Sequence, residues 1–277
     1  MELYNQTSFG CSKLFTQKYS TSFSKAVSLL NPSIQNAIYG IYGFVRIADE
    51  IVDTFHQHPK QRMLEELRSE IFEAISTGIS VNPIVHSFQL VVNSYKIPHE
   101  LISSFLDSME MDLDKKVFNA QDYSKYIYGS AEVVGLMCLK VFANGDDEKY
   151  VALQKPAQSL GEAFQKVNFL RDVKDDYAER GRVYFPNIDF QTFTNVQKNQ
   201  IEKDIAHDLK LARSGILALP RSSQLGVYVA YLYFKELLNR IRRVKANQIM
   251  NKRIRVPNSI KFLLMLKARI AFWLRLI

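Results

Sequence analysis

Apolar residues recur at steps of three and four through almost the whole chain, as in Ile34, Ala37, Ile38, Ile41, Val45, Ala48 and Val52. That period turns one face of an α-helix toward a core. Sustained two-residue alternation is hard to find, and no strand is predicted. Breaks fall near Asn31-Pro32, His58-Pro59, Asn82-Pro83, Ile97-Pro98, Asn144-Gly145-Asp146, Phe185-Pro186-Asn187, Leu219-Pro220 and Val256-Pro257. Those residue types cap, turn or stop helices, so the chain divides into about ten of them. No linker rich in Pro, Gly or Ser separates two halves, and a single all-α domain over residues 1–277 is expected.

Composition sharpens this picture in three places. Only 11 Gly and 8 Pro serve 277 residues, about 7% against the roughly 12% usual for soluble chains, which means long elements and few connections. Cys11 and Cys138 are the only cysteines, and no secretory leader pattern opens the chain, so a reduced, cytoplasmic protein without disulfides is expected. His56, His58, His86, His99 and His207 do not have a zinc-ligand spacing. Charge is also uneven. From Lys235 onward twelve Lys or Arg face one acid, Glu236, a net of +11 that leaves −3 for the rest of the chain. The same segment, 235–277, carries Phe262, Leu263, Leu264, Met265, Leu266, Phe272, Trp273 and Leu274. Such a mixture suits peripheral contact with the inner face of a membrane, and suits equally a core-packing helix with a solvated basic face. No apolar run reaches the roughly 18 residues of a spanning helix. No nucleic-acid motif accompanies the charge, and nucleic acid is not expected as a partner.

Two acidic clusters, each with an interleaved Arg, are the candidate chemistry, against the plainer reading of two solvated acidic helix faces: Arg46-Ile47-Ala48-Asp49-Glu50-Ile51-Val52-Asp53, and Asn168-Phe169-Leu170-Arg171-Asp172-Val173-Lys174-Asp175-Asp176. On a helix, Tyr42, Arg46, Asp49 and Asp53 share one face, and Gln165, Asn168, Asp172 and Asp176 share another. Carboxylates stacked a turn apart repel one another and desolvate badly, so two such stripes in apolar helices call for a cation between them. Oxygen ligands without thiolate or imidazole point to Mg²⁺, with Mn²⁺ as a substitute, and Mg²⁺ so held usually carries phosphate oxygens as well. Arg46 and Arg171 lie where their forks can take the remaining oxygens of a diphosphate. Loss of diphosphate leaves a carbocation, which needs a dry, π-rich cavity. Phe23, Tyr39, Tyr42, Tyr126 and Phe164 adjoin the stripes and are the candidate wall.

Several segments, in order, resemble the squalene and phytoene synthase family over about residues 15 to 261. They are Ser20-Thr21-Ser22-Phe23-Ser24 with Leu29-Leu30, Ile41 to Asp53, Tyr126-Ile127-Tyr128-Gly129 before Val134-Gly135, and Asn168 to Asp176 followed by Arg180-Gly181-Arg182-Val183-Tyr184-Phe185-Pro186. The resemblance implies an isoprenoid-synthase fold with a central cavity, and a head-to-head condensation of two prenyl diphosphates through a cyclopropylcarbinyl diphosphate. Carried over by position, Asp49, Asp53, Asn168, Asp172 and Asp176 would hold Mg²⁺. Ser20, Ser22, Tyr42, Arg46, Tyr126, Gln165, Arg171, Tyr233 and Arg253 would hold diphosphate, with Tyr19 and Thr21 at the same end. Asp49, Asp53, Asp172, Asp176, Arg46 and Tyr126 would form the catalytic set.

The chain departs from the family pattern at Glu50, where an Asp is usual, at Tyr19 and Thr21, often basic, and at Lys174, often small or acidic. Glu50 lies about 100° around the helix from Asp49, and Lys174 is expected to face outward. The overall run, including Arg253-Ile254-Arg255-Val256-Pro257, looks most like bacterial phytoene synthases. That resemblance implies twenty-carbon substrates, a role in carotenoid formation and downstream enzymes of that chemistry as partners. Val27, one turn beyond Phe23, is small enough to leave room for the longer chain. Squalene or dehydrosqualene synthesis from fifteen-carbon substrates is the alternative. NADPH belongs to the squalene reaction, and no Gly-rich dinucleotide fingerprint calls for it here. A head-to-tail prenyltransferase fits less well, and a non-catalytic, membrane-associated assembly factor would be expected to have lost metal ligands.

Overall fold

The computed structural model describes residues 1–114, 117–179, 181–251 and 253–277, with backbone alone at 178 and 179. Arg180, part of the second motif, lies outside the described residues. Among those described there are thirteen α-helices: α1 Glu2–Tyr19, α2 Thr21–Val27, α3 Pro32–Asp53, α4 Lys60–Thr77, α5 Pro83–Tyr95, α6 His99–Asp114, α7 Ala120–Ile127, α8 Val133–Ala143, α9 Asp147–Lys174, α10 Asn195–Ala218, α11 Arg221–Arg242, α12 Ala246–Ile249 and α13 Asn258–Trp273. The only bridge of extended backbone among the described residues joins Val117 to Val183, in keeping with the expected lack of strands.

The punctuation residues act as their chemistry dictates. Asn31 caps α3 by accepting from the Ser33 N–H at 3.0 Å, with Pro32 in the first turn. Asn82 and Pro83 start α5 in the same way, and Thr194 with Gln197 forms a reciprocal cap on α10. The excess over ten helices comes from boundaries that carry no Pro, Asn-Gly or similar breaker pair. Ser20 is extended (φ −142°, ψ 96°) and its hydroxyl caps α2 through the Phe23 N–H, and α12 is a single turn.

Two apolar clusters organise the interior. One joins α3, α4, α5, α6 and α8, with Phe44 stacked on Phe88 at 4.1 Å. The other joins α9, α10, α11 and α12 through Val167, Leu170, Ile205, Leu238 and Ile241. Burial of such side chains is worth about 1.5–3 kcal/mol each and is the main force assembling the helices. Lys166 on α9 is buried against Glu162 (2.7 Å), Asp208 (2.8 Å) and Asp204, which ties α10 to α9.

Residues 120–143 form one continuous helical rod, interrupted at Tyr128–Glu132 by a π-helical turn. The rod is long and apolar enough to cross a membrane, yet more than half of its apolar stretch is buried inside the fold. It is a core element. The π turn presses against α9 where Gly161 lies: a Cβ there would stand 2.4 Å from the Ala131 carbonyl oxygen. Only glycine lets the two backbones approach so closely. A second π turn, Asp175–Glu179, ends α9. Extra-residue turns of this kind are frequent at functional sites, and both lie beside the acidic stripes or across from them.

Candidate functional site

A cavity of about 1020 Å³ is walled by α2, α3, α8, α9, α11 and the segment 253–261. Part of its lining is apolar, with Leu139, Phe142, Leu153, Leu160, Ile216 and Leu219. A polar part, called the mouth below, comprises Tyr19, Ser20, Thr21, Ser22, Tyr42, Arg46, Asp49, Gln165, Asn168, Arg171 and Arg253. Most of the residues read from sequence as a diphosphate site, with Asp49 and Asn168 of the metal set, thus line the same part of one cavity. Tyr126 and Tyr233 also line the cavity, as do Phe23, Phe164 and Val27. Tyr39 does not: it is buried in the core, a different role from the wall position expected for it.

On α3, Arg46 organises the stripe. Its guanidinium stands 3.6 Å from Asp49, pairs with Glu50 one turn on, and lies 4.5 Å over the Tyr19 ring. Glu50, around the helix from Asp49, is buried as the counter-charge of Arg46. Tyr19, in place of a base, supplies an aromatic face to the same guanidinium. Tyr42 stacks on Phe23 at 4.7 Å. Burial pushes its hydroxyl pKa up, partly offset by Arg46 and a hydrogen bond with Ser20.

On α9, Gln165 donates toward Ser130 of the π turn at 3.4 Å. Asp172 is met by Arg171 (2.9 Å) and by Arg253 (2.8 Å), and Arg253 also lies 3.9 Å from Asp175. Lys174 is exposed, as expected. Three buried polar atoms on the cavity wall have no hydrogen-bond partner among the described residues: Asn168 Oδ1, Arg46 Nε and the Tyr233 hydroxyl. Buried polar atoms are ordinarily satisfied, so three orphans around one mouth mark a place built for polar guests.

Of the five residues assigned to metal by resemblance, Asp49 and Asn168 line the cavity, while Asp53, Asp172 and Asp176 stand outside its lining. Asp53 accepts from Arg182 at 2.8 Å. Asp176 is buried, and its backbone carbonyl accepts from the Arg182 N–H at 2.8 Å. Among the described residues no three carboxylate, His or Cys side chains converge into a closed metal set. The carboxylates of both stripes lie beside guanidinium groups, Asp49 by Arg46, Asp53 by Arg182 and Asp172 by Arg253. The donor set is all oxygen and includes the unpartnered Asn168 Oδ1, and it fits a hard divalent ion.

Two groups of residues were missed in the sequence. Arg255 and Lys261 line the mouth. The Lys261 ammonium has its pKa pushed down by burial first, then by Lys25, Arg171 and Arg255. The alternation of Arg253 and Arg255 with Ile254 and Val256 was the signal in the sequence: the aliphatic pair is buried, the basic pair exposed, and all four line the cavity. The other group surrounds Asp112 of α6. The Tyr126 hydroxyl donates to its Oδ2 at 2.7 Å and the Tyr184 hydroxyl to its Oδ1 at 3.0 Å. Burial pushes the Asp112 carboxyl up to about 6, against Arg182 and the Tyr126 hydrogen bond, which lower it.

An all-α fold whose acidic helices meet cationic side chains at the mouth of an apolar cavity defines a synthase of the isoprenoid class. The model of the squalene/phytoene synthase family matches residues 16–259, and the chain belongs to that family. It is a prenyltransferase of the head-to-head condensing type. Among its relatives, the 4,4'-diapophytoene synthase of Staphylococcus haemolyticus is 29% identical over 194 residues, 69% of this chain and 66% of that protein. The phytoene synthase of Arthrospira platensis is 26% identical over 90% of this chain and 88% of its own. The crystal structure of a dehydrosqualene synthase superposes with a TM-score of 0.83 at 22% identity, covering 97% of this chain and 98% of that one. The squalene synthase HpnC of Alicyclobacillus acidocaldarius gives 0.76 at 20% identity, covering 90% and 97%.

Proposed function

We propose that the chain joins two twenty-carbon prenyl diphosphates into phytoene. The observation that carries this reading is a cavity of about 1020 Å³ lined by both cationic and aliphatic side chains, backed by relatives named phytoene synthases that align over most of the chain. Asp49, Asp53, Asn168, Asp172 and Asp176 would hold Mg²⁺, or Mn²⁺ in its place. The ion, when bound, supplies the Lewis acidity that makes diphosphate a good leaving group. Ser20, Ser22, Tyr42, Arg46, Gln165, Arg171, Tyr233 and Arg253, joined by Arg255 and Lys261, bind the diphosphate oxygens by charge-assisted hydrogen bonds. Phe23, Tyr42, Tyr126 and Phe164 present π faces to the developing allylic cation, and the aliphatic wall keeps water from it.

A second reading, fifteen-carbon substrates giving squalene or dehydrosqualene, draws on the named diapophytoene synthase relative. The assembly-factor reading is disfavoured because all five candidate metal residues are present. The protein is further proposed to work at the cytoplasmic face of a membrane, near enzymes that act on its lipid-soluble product. Supporting this, α13 exposes Phe262, Leu263, Leu266, Ile270 and Trp273 beside Lys267 and Arg269.

The assignment is tested by Asp49→Asn and Asp172→Asn. Each removes a candidate metal-binding charge that lies beside an arginine, so each is expected to abolish diphosphate release while circular dichroism keeps its helical signal. Near-normal turnover in either variant contradicts it.

A further inference from the structure

Three separate elements are joined by one arginine and one buried carboxylate. Arg182 lies in the segment after the second π turn, and it is buried. Its Nη1 donates to Asp53 Oδ1 at 2.8 Å, at the last residue of α3. Its Nη2 donates to the Asp112 backbone carbonyl at 3.0 Å, in α6. Its own N–H donates to the Asp176 carbonyl at 2.8 Å, just past α9. Asp112 then receives the Tyr126 and Tyr184 hydroxyls, and those two rings pack with Phe118 and Phe169, Phe169 lying flat on Tyr184 at 4.1 Å.

We infer that Arg182 and Asp112 form a bracket that sets the orientation of Asp53 and its distance from Asp176, so that both are positioning residues for the metal–diphosphate site. This rests on the reading of that site given above. A guanidinium is the group for the task, since its planar fork serves two acceptors on different elements at once with a charge that never titrates away. Asp112 holds the fork by charge and by its carbonyl, and the aromatic packing fixes Asp112 in turn. Groups that orient metal-binding carboxylates from behind typically change metal affinity when altered, even though they never touch the ion.

The test uses the full chain and the probe Mn²⁺ with inorganic diphosphate, with binding read by electron paramagnetic resonance. Thermal stability and helical circular dichroism are recorded on the same samples. Arg182→Lys keeps a cation near Asp53 but cannot bridge to Asp112. It is expected to weaken Mn²⁺ binding by about 10–100-fold with the helical signal retained. Asp112→Asn is expected to do the same, and the double variant to be no weaker than Arg182→Lys alone, since the two act as a unit. Tyr184→Phe, which removes one donor from Asp112, is the milder variant should Asp112→Asn fail to fold; it is expected to weaken Mn²⁺ binding in the same direction. A lowered melting temperature with Mn²⁺ affinity unchanged in Arg182→Lys means a purely structural role and overturns the bracket. Wild-type protein that binds no Mn²⁺ with diphosphate overturns the metal reading itself, and the bracket with it.

Discussion

At the scale of single residues, charge and size divide the work. Val27 is buried on the cavity wall, one turn from Phe23, which stacks on Tyr42. Val27→Phe adds a ring where a long isoprenoid tail must lie. It is expected to penalise the twenty-carbon substrate more than the fifteen-carbon one by about 1–3 kcal/mol in relative kcat/KM. Equal losses for both would make Val27 ordinary core. The acidic stripes were legible in the sequence because a helix turns spacing directly into a shared face: Tyr42, Arg46 and Asp49 do meet at the mouth. The long-range partners around Asp112 were not legible. Asp112 meets Tyr184, 72 positions away, and Arg182 meets Asp53, 129 positions away. No local period encodes such pairings, which depend on how whole helices pack.

At the scale of elements, boundaries marked by Asn-Pro were readable because capping is local, as at Asn31 and Asn82. The α1–α2 break at Ser20 and the π turn at Tyr128–Glu132 were not, since both depend on what packs against them. Docking of α1 offers a pH prediction. His86 on α5 is buried, its Nε2–H donates to Asn5 Oδ1 at 2.8 Å, and its Nδ1 accepts from the Ser80 N–H at 3.3 Å. A second proton would face those donors, and burial holds its pKa below the ordinary histidine value of 6.5. In the window from that value down to the lower folded one, the unfolded chain binds more protons. Stability is therefore present above about 6.5 and is lost as pH falls through the window. The melting temperature and the hydrogen-exchange protection of α1 are expected to drop on acidification, and His86→Gln to flatten that slope. An unchanged slope in His86→Gln contradicts the account.

At the scale of the whole molecule, the excess positive charge after Lys235 has two destinations. Arg253, Arg255 and Lys261 line the cavity mouth, whereas Lys267 and Arg269 are exposed on α13 beside its apolar stripe. The sequence alone could not apportion them, because α13 begins on the cavity, where Asn258 and Lys261 line it, and continues along the surface. α13 is anchored by Arg221, which donates to the Phe272 carbonyl at 2.9 Å and lies 3.5 Å over its ring. Phe262→Ser with Trp273→Ser therefore spares the anchor while removing two exposed apolar groups. This pair is expected to weaken binding to anionic vesicles, which itself falls with salt as screening sets in over about 10 Å at 0.1 M. Turnover on detergent-dispersed substrate should be little changed, and unchanged vesicle binding would leave α13 a plain packing helix. The most direct test of the central claim is product analysis after incubating the protein with Mg²⁺ and either geranylgeranyl or farnesyl diphosphate, without NADPH. The account predicts phytoene from the twenty-carbon substrate, with diphosphate released; a thirty-carbon hydrocarbon from the farnesyl substrate alone, or no hydrocarbon from either, would contradict it.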